Sequence, residues 1–101
     1  MGLGRFIGIA IVKQKLGIQK LFEVPVAQVY QLEPGDEVLY ESIGDPDEVE
    51  KGEVVCTACC YEHTDFFEFV LAEHHEAQPL RRIISKIEYI TMDYPEEKAD
   101  E

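Results

Sequence analysis

The stretch CTACCYEH, residues 56–63, holds Cys56, Cys59 and Cys60, all the cysteines of the chain, together with His63. His74 and His75 follow on the same side of the sequence, so all the soft ligands fall within one short region. Zinc is the first chemistry to test. A structural zinc site needs four ligands converging on one point, with sulfur ~2.3 Å from the metal. Cys56 and Cys59 have the C-x-x-C spacing, and Cys56, Cys59, His63 and His74 form the candidate metal set. An extended strand through 52–62 opposes it. Cys56 and Cys59 would then point to opposite faces, and Cys56 and Cys60 would share a face but lie ~13 Å apart at ~3.3 Å per residue. No Gly or Pro between 53 and 78 favours a tight turn. His74 and His75 are neighbours on an expected helix and diverge by ~100°. The cysteines therefore read as core residues, and no cofactor is expected.

Other catalytic patterns fare no better. A thioredoxin-like pair needs its C-x-x-C at a helix N-terminus, where the dipole lowers the thiol pKa. Here the helix start signal comes at Thr64 or Asp65. EHHEA is not H-E-x-x-H, GLGRFIG is not a dinucleotide fingerprint, and neither Ser42 nor Ser85 has a histidine close in sequence. His74 falls on the apolar side of the helical wheel and reads as a packed histidine, His75 as a solvated one. The expectation is a protein that is not an enzyme.

The elements that would position these residues are short. RFIGIAIVK (5–13) reads as a buried strand and QKLFEVPV (19–26) as a second strand edged by Pro25. Between them lies a basic turn around Gly17. LEPGDEVLYES (32–42) is a turn at Pro34 and Gly35 followed by a strand over Val38, Leu39 and Tyr40. IGDPDEVEKG (43–52) reads as an exposed loop. GEVVCTACCYE (52–62) is a strand suited to burial on both faces. TDFFEFVLAEHHEAQ (64–78) fits a helix with a capping-box-like start at Asp65 and Glu68 and a stop at Pro79. Phe66, Phe67, Val70, Leu71 and Ala77 share its apolar side. LRRIISKIEYITM (80–92) is read as the closing strand, although its isoleucine spacing would also suit a helix. The expected fold is α+β and mainly β: a small, bent, five-stranded antiparallel sheet or half-barrel with one helix before the last strand. Residues 1–92 would form the single domain, and 93–101 an acidic, disordered tail.

Charge is the strongest signal. The 101 residues are 46% apolar and carry a net charge of −12. Residues 1–30 hold four bases against Glu23, whereas 31–101 hold twenty acids against five bases, a balance of −15. Such a surface repels nucleic acid and anionic membrane, and attracts a basic surface. No apolar run approaches the ~20 residues needed to span a bilayer. The N-terminal stretch lacks the pattern of a signal peptide, and the unpaired cysteine count points to a reducing, cytoplasmic setting.

The strand pair, PGDEVLYES, GEVV, a helix and PLRRIISKIEYI together resemble a group of small uncharacterised phage and prophage proteins. Those proteins pair a GD-V-V strand with a G-V strand and end in a PL-basic-basic-I segment. The matching residues are Gly35, Asp36 and Val38; Gly52, Val54 and Val55; and Pro79, Leu80, Arg81, Arg82 and Ile83. The likeness covers roughly residues 5–92 and implies a small β-barrel and a phage context, without an activity. The acidic 43–52 segment and the acidic tail depart from the group's shorter loops.

Two classes of function follow. The first is an interaction protein whose acidic ribbon, Glu33, Asp36, Glu37, Glu41, Asp45, Asp47, Glu48, Glu50 and Glu53, imitates a line of phosphates. Its expected partner is a protein with a basic surface, such as a nucleic-acid-binding host-defence enzyme. With the phage resemblance, this would be an anti-CRISPR or anti-restriction inhibitor, or else a phage structural or assembly accessory. The second is a zinc-binding or nucleic-acid-associated domain using the Cys/His cluster. A small nucleic-acid-binding barrel using Arg5, Lys13, Lys15 and Lys20 is a further possibility, disfavoured by total charge and sparse stacking aromatics.

Overall fold

The computed structural model describes residues 2–42 and 45–88. It is mainly β: five antiparallel strands form one unclosed sheet with two helices. The strands are β1 (Phe6–Lys13), β2 (Gln19–Val24), β3 (Glu37–Ser42), β4 (Asp45–Tyr61) and β5 (Ile83–Lys86). Helix α1 (Val26–Val29) follows β2, and α2 (Asp65–Glu73) lies between β4 and β5. Spatial order in the sheet is β2-β1-β4-β3-β5.

β4 organises the sheet. Its first part pairs with β3, with Tyr40 opposite Glu50 and Glu37 opposite Glu53. Its second part pairs with β1, with Ile7 opposite Cys60 and Ile11 opposite Cys56. A register shift between Ile11 and Val12 leaves Val55 as the extra residue, and such a bulge bends the strand. Gly52 lies where β1, β3 and β4 crowd together; a Cβ there would meet Val12, the Lys13 carbonyl and Tyr40.

The sheet is buried on both sides. On one face Ala10, Val12, Phe22, Val24, Val38, Tyr40 and Val54 pack with Val29 of α1, Leu32 and Ile83. This is the inner, concave face. On the outer face Ile7, Ile9, Leu21, Cys60 and Leu80 pack under Phe67 of α2, with Val70 and Leu71 alongside. The split follows from the two-residue period of each strand, which sends Phe22 and Val24 inward and Leu21 outward.

The bent sheet brings its two edges close. Glu23 of β2 and Arg82 form an isolated parallel bridge, and the Glu23 N–H donates to the Arg81 carbonyl at 2.8 Å. The result is a half-barrel, as the strand count and helix position predict.

Several local expectations change. Residues 45–52 were expected in a loop, but they begin β4, because pairing with β3 from Glu41–Val49 onward outweighs the low strand propensity of an acidic segment. The irregular register between Glu41 and Ser42 absorbs the surplus residues. Residues 43 and 44 lie outside the described residues. β2 ends at Val24, and α1 is a second helix that the sequence reading missed. Pro25 cannot donate to a ladder, and its carbonyl accepts from Gln28 N–H instead. Helix α2 is shorter than expected. Thr64 caps it, accepting from the Phe67 N–H at 3.3 Å, in place of an Asp65–Glu68 box. β5 covers only part of 80–92. Residues 89–92 and the 93–101 tail lie outside the described residues.

Helix α2 ends well before Pro79. His75 N–H bonds to the Ala72 carbonyl and Glu76 N–H to the Leu71 carbonyl, and His75 sits at φ 53°. This is the Schellman arrangement, with histidine in the left-handed position usually taken by glycine. Exchanging an exposed left-handed histidine for glycine relieves a Cβ clash and costs unfolded-state entropy, and the first term is larger. His75→Gly is expected to raise stability by about 0.5–1 kcal/mol. Urea unfolding would check it; an unchanged or lowered midpoint would contradict the strain at this position.

Candidate interaction surface

The cysteine–histidine region does not converge. Cys59 packs against the inner cluster and Cys60 belongs to the outer one. Cys56 is exposed, at the mouth of a small apolar pocket beside Phe66 and Val70. The expectation of burial on both faces thus fails at Cys56, because α2 reaches Ala58 and Cys60 but leaves Cys56 at its margin. His63 is exposed, with its backbone N–H on the Leu3 carbonyl at 2.7 Å. His74 is half-buried at the end of α2. Among the described residues, no group of three or more His, Cys, Asp or Glu is placed to hold a metal ion, so Cys56, Cys59, His63 and His74 stay apart.

The acids of the ribbon are divided by the pleat. Register places Glu37, Leu39 and Glu41 of β3 beside Glu53, Lys51 and Val49 of β4 on the outer face. Glu50 faces the other way, accepting from the Tyr40 hydroxyl at 3.1 Å and the Ser42 hydroxyl at 2.8 Å. Burial, reinforced by the Glu50 carboxylate, raises the Tyr40 pKa. Asp36 accepts from the Glu33 N–H at 2.9 Å and lies 3.4 Å from Lys86 Nζ. That backbone bond, with Lys86, lowers its pKa. Glu37 lies 4.0 Å from Lys51 Nζ. Glu41 receives both the Nε and Nη2 of Arg82, the latter at 2.7 Å. Asp47 is exposed, and the side chain of Asp45 lies outside the described residues. Glu33, Glu48 and Glu53 are exposed and have no ion-pair partner among the described residues.

The basic residues of the N-terminal third are also separated. Arg5 sits at the start of β1, bound to Glu62 at 2.8 Å and near Glu23 at 3.6 Å. Lys13, Lys15 and Lys20 lie at the opposite end, on the β1–β2 hairpin. An open groove of about 740 Å³ runs between that hairpin and the β3–β4 hairpin, with Tyr40 and Gly52 in its floor and Lys13, Lys15, Glu37, Glu50 and Glu53 on its walls. It mixes both signs of charge and gathers no nucleophile with a base. The sequence reading missed this groove, because only the register of β1 on β4 sets Lys13 opposite Glu53.

No protein-family model, no curated protein and no solved structure matches the chain.

Two measurements follow from these placements. The Arg5 guanidinium holds the Glu62 carboxyl below its ordinary value of 4.5, and Arg82 does the same for Glu41. Both carboxyls bind protons less readily folded than unfolded. Their stabilisation is therefore fully present above about pH 4.5 and is lost as pH falls through the lowered folded values. Glu41→Gln and Glu62→Gln should each flatten the fall of melting temperature with pH below that point. Parallel curves for wild type and both variants would sink this.

Thiol chemistry supplies the second. Burial, with Cys59 nearby, raises the Cys60 pKa. Cys56 should react first and Cys60 last with a maleimide under native conditions. Cys60→Ala should cost about 1–2 kcal/mol and Cys56→Ala well under 1. Equal labelling rates would mean that the outer core opens readily.

Proposed function

We propose that the chain is a non-catalytic interaction protein that docks its β3–β4 hairpin onto a basic surface of another protein. The observation that carries this reading is the placement of Glu33, Glu48 and Glu53. Each is exposed and in no ion pair among the described residues, although Glu53 stands opposite Lys13 in the ladder, and each lies on or beside a hairpin whose outer face α2 leaves uncovered. Carboxylates held at a sheet surface cost little to desolvate partially and steer a basic partner through long-range attraction. Val49, exposed on the outer face with Glu53, offers an apolar contact beside it. The resemblance to phage proteins supports one target class, the nucleic-acid groove of a CRISPR or restriction nuclease. The action would be competition with DNA for that groove.

The division of the acids narrows the ribbon. Asp36, Glu37, Glu41 and Glu50 have partners within the chain, so the exposed set is the shorter one. A panel of host-defence nucleases, each bound to labelled duplex DNA, tests the reading. The protein is expected to displace DNA from at least one. Glu33→Gln, Glu48→Gln and Glu53→Gln together should slow association at least ~10-fold. Glu96→Gln, Glu97→Gln and Glu101→Gln remove the same charge from the tail and should change it less than ~3-fold. Equal effects would reduce the attraction to net charge. Failure to displace DNA from any member would remove the target class.

A further inference from the structure

β4 is longer than either neighbour, and β1 leaves it partway. Lys13 opposite Glu53 is the last pair of the β1–β4 ladder. At Gln14 the chain turns to β2, its N–H bonding to the Ile18 carbonyl at 2.7 Å. From Gly52 back towards the start of β4, no strand among the described residues lies on the β1 side. Two bonds fix which way the ladder groups point there. Val54 N–H donates to the Asp36 carbonyl at 2.8 Å, towards β3, and Ile87 N–H donates to the Glu37 carbonyl at 2.8 Å, away from β4. Antiparallel ladder groups alternate between sides, residue by residue. Gly52 and Glu50, opposite Val38 and Tyr40, therefore bond to β3, whereas Lys51 and Val49 aim their N–H and C=O at the vacant side. That vacancy is the groove of about 740 Å³. It has the form of a missing strand. Tyr40 and Glu50 reach it from the inner face, Lys51 and Glu53 from the outer, and Lys13 and Gln14 close one end.

We infer that the groove takes an extended, uncharged peptide segment of another protein as an added strand. The backbone selects this occupant. Unpaired N–H and C=O groups at strand spacing are matched by a second extended backbone, whose hydrogen bonds carry the affinity in strand addition. Charge does not select it, because Lys13, Lys15 and Lys51 stand among Glu37, Glu50 and Glu53 on the same walls. A strand rich in either sign would meet its own. Val49, 48% exposed, and the Tyr40 floor offer apolar contact, so alternating Thr and Val side chains suit the slot. Between Lys51 and Asp47 it has room for about five residues, ~17 Å at ~3.3 Å per residue. This inference does not rest on the acidic docking proposed above. That contact is set by carboxylates and weakens with salt, whereas this one is set by backbone groups and does not.

Residue-resolved hydrogen exchange by NMR on the full chain, with the neutral peptide Ac-Thr-Val-Thr-Val-Thr-NH2 as probe, reads the outcome. In the free protein the amides of Val49 and Lys51 should exchange at least ~10-fold faster than those of Glu50 and Gly52. Saturating peptide should slow the first two at least ~10-fold, with a dissociation constant of about 1 mM or tighter that changes less than ~3-fold between about 0.05 and about 0.5 M salt. The same peptide N-methylated at every residue cannot donate to the ladder and should not bind. Val49→Pro removes one groove-facing N–H and leaves the β3 ladder intact. It should weaken binding at least ~10-fold with the Glu50 and Gly52 amides still protected, and Val49→Thr should not. If Val49→Pro unfolds the hairpin, the N-methylated peptide still decides. Protection of Val49 and Lys51 in the free protein at every concentration would mean that the chain fills its own slot, and would overturn the inference. Protection that appears only as protein concentration rises would give the slot to a second copy and overturn it too. So would a peptide that protects neither amide, equal binding of the N-methylated peptide, or binding lost in salt.

Discussion

The segment from Leu80 to Ile83 is what turns a bent sheet into a half-barrel. Its backbone ties two strands that are not neighbours in the sheet: the Arg81 carbonyl receives Glu23 N–H of β2, and the Arg82 carbonyl receives Glu41 N–H of β3. Its side chains alternate across the layers. Leu80 enters the outer core and Ile83 the inner one. The Arg81 guanidinium lies 4.6 Å from the Phe22 ring centre and 5.6 Å from that of Tyr40, themselves a tilted aromatic pair. A planar, weakly hydrated cation can cap an aromatic pair in this way at low desolvation cost, which a lysine ammonium does less well. Without this crossing, the inner cluster would lie open along the gap between β2 and β3.

Because the two edges meet at a single bridge, side chains complete the seam. Glu62, Arg5, Glu23, Arg82 and Glu41 alternate in sign across it, with Arg5 between Glu62 and Glu23 and Arg82 on Glu41. Each exposed pair contributes little alone. Their placement matters more than their sum. Charged groups along a seam discourage another strand from pairing there, and the bent edge presents few free ladder groups. Arg5 and Arg82 thereby serve closure, which explains why Arg5 does not join the hairpin lysines in a single basic patch.

Much of the fold was legible. The isoleucine-rich run to Lys13, the LFEV segment, and the turn at Pro34 and Gly35 located β1, β2 and β3, and the one-sided apolar spacing of 64–78 located α2. The misreadings share one cause: local sequence was asked to settle what distant pairing decides. The acidic stretch from Asp45 to Gly52 has the composition of a loop, yet β3 supplies a ladder for it. The α2 terminus was assigned to Pro79, the obvious breaker, when His75 had already turned the chain. Cys56 looked like its neighbours Cys59 and Cys60, and only the reach of α2 distinguishes it. The candidate surface was legible as composition and illegible as geometry. Acids adjacent in sequence alternate between faces, so Glu50 went to Tyr40 while Glu53 stayed outside.

That division has a consequence for how charge is used in this molecule. A chain with so large an acidic excess could spread its few bases evenly over the surface. Instead, of the eight described bases, four are spent on closure and on holding β5 to the β3 edge, one is drawn to Glu37, and three are grouped on the β1–β2 hairpin, where Lys13 stands opposite Glu53 and no ion pair forms among the described residues. Grouping of this kind costs the folded core little, since Leu16 and Ile18 at the hairpin tip are exposed. It also brings no stability, because unpaired lysines at an exposed turn contribute little. Under the proposed interaction, the two hairpins beside the groove would orient encounters, one through its acids and the other through its lysines.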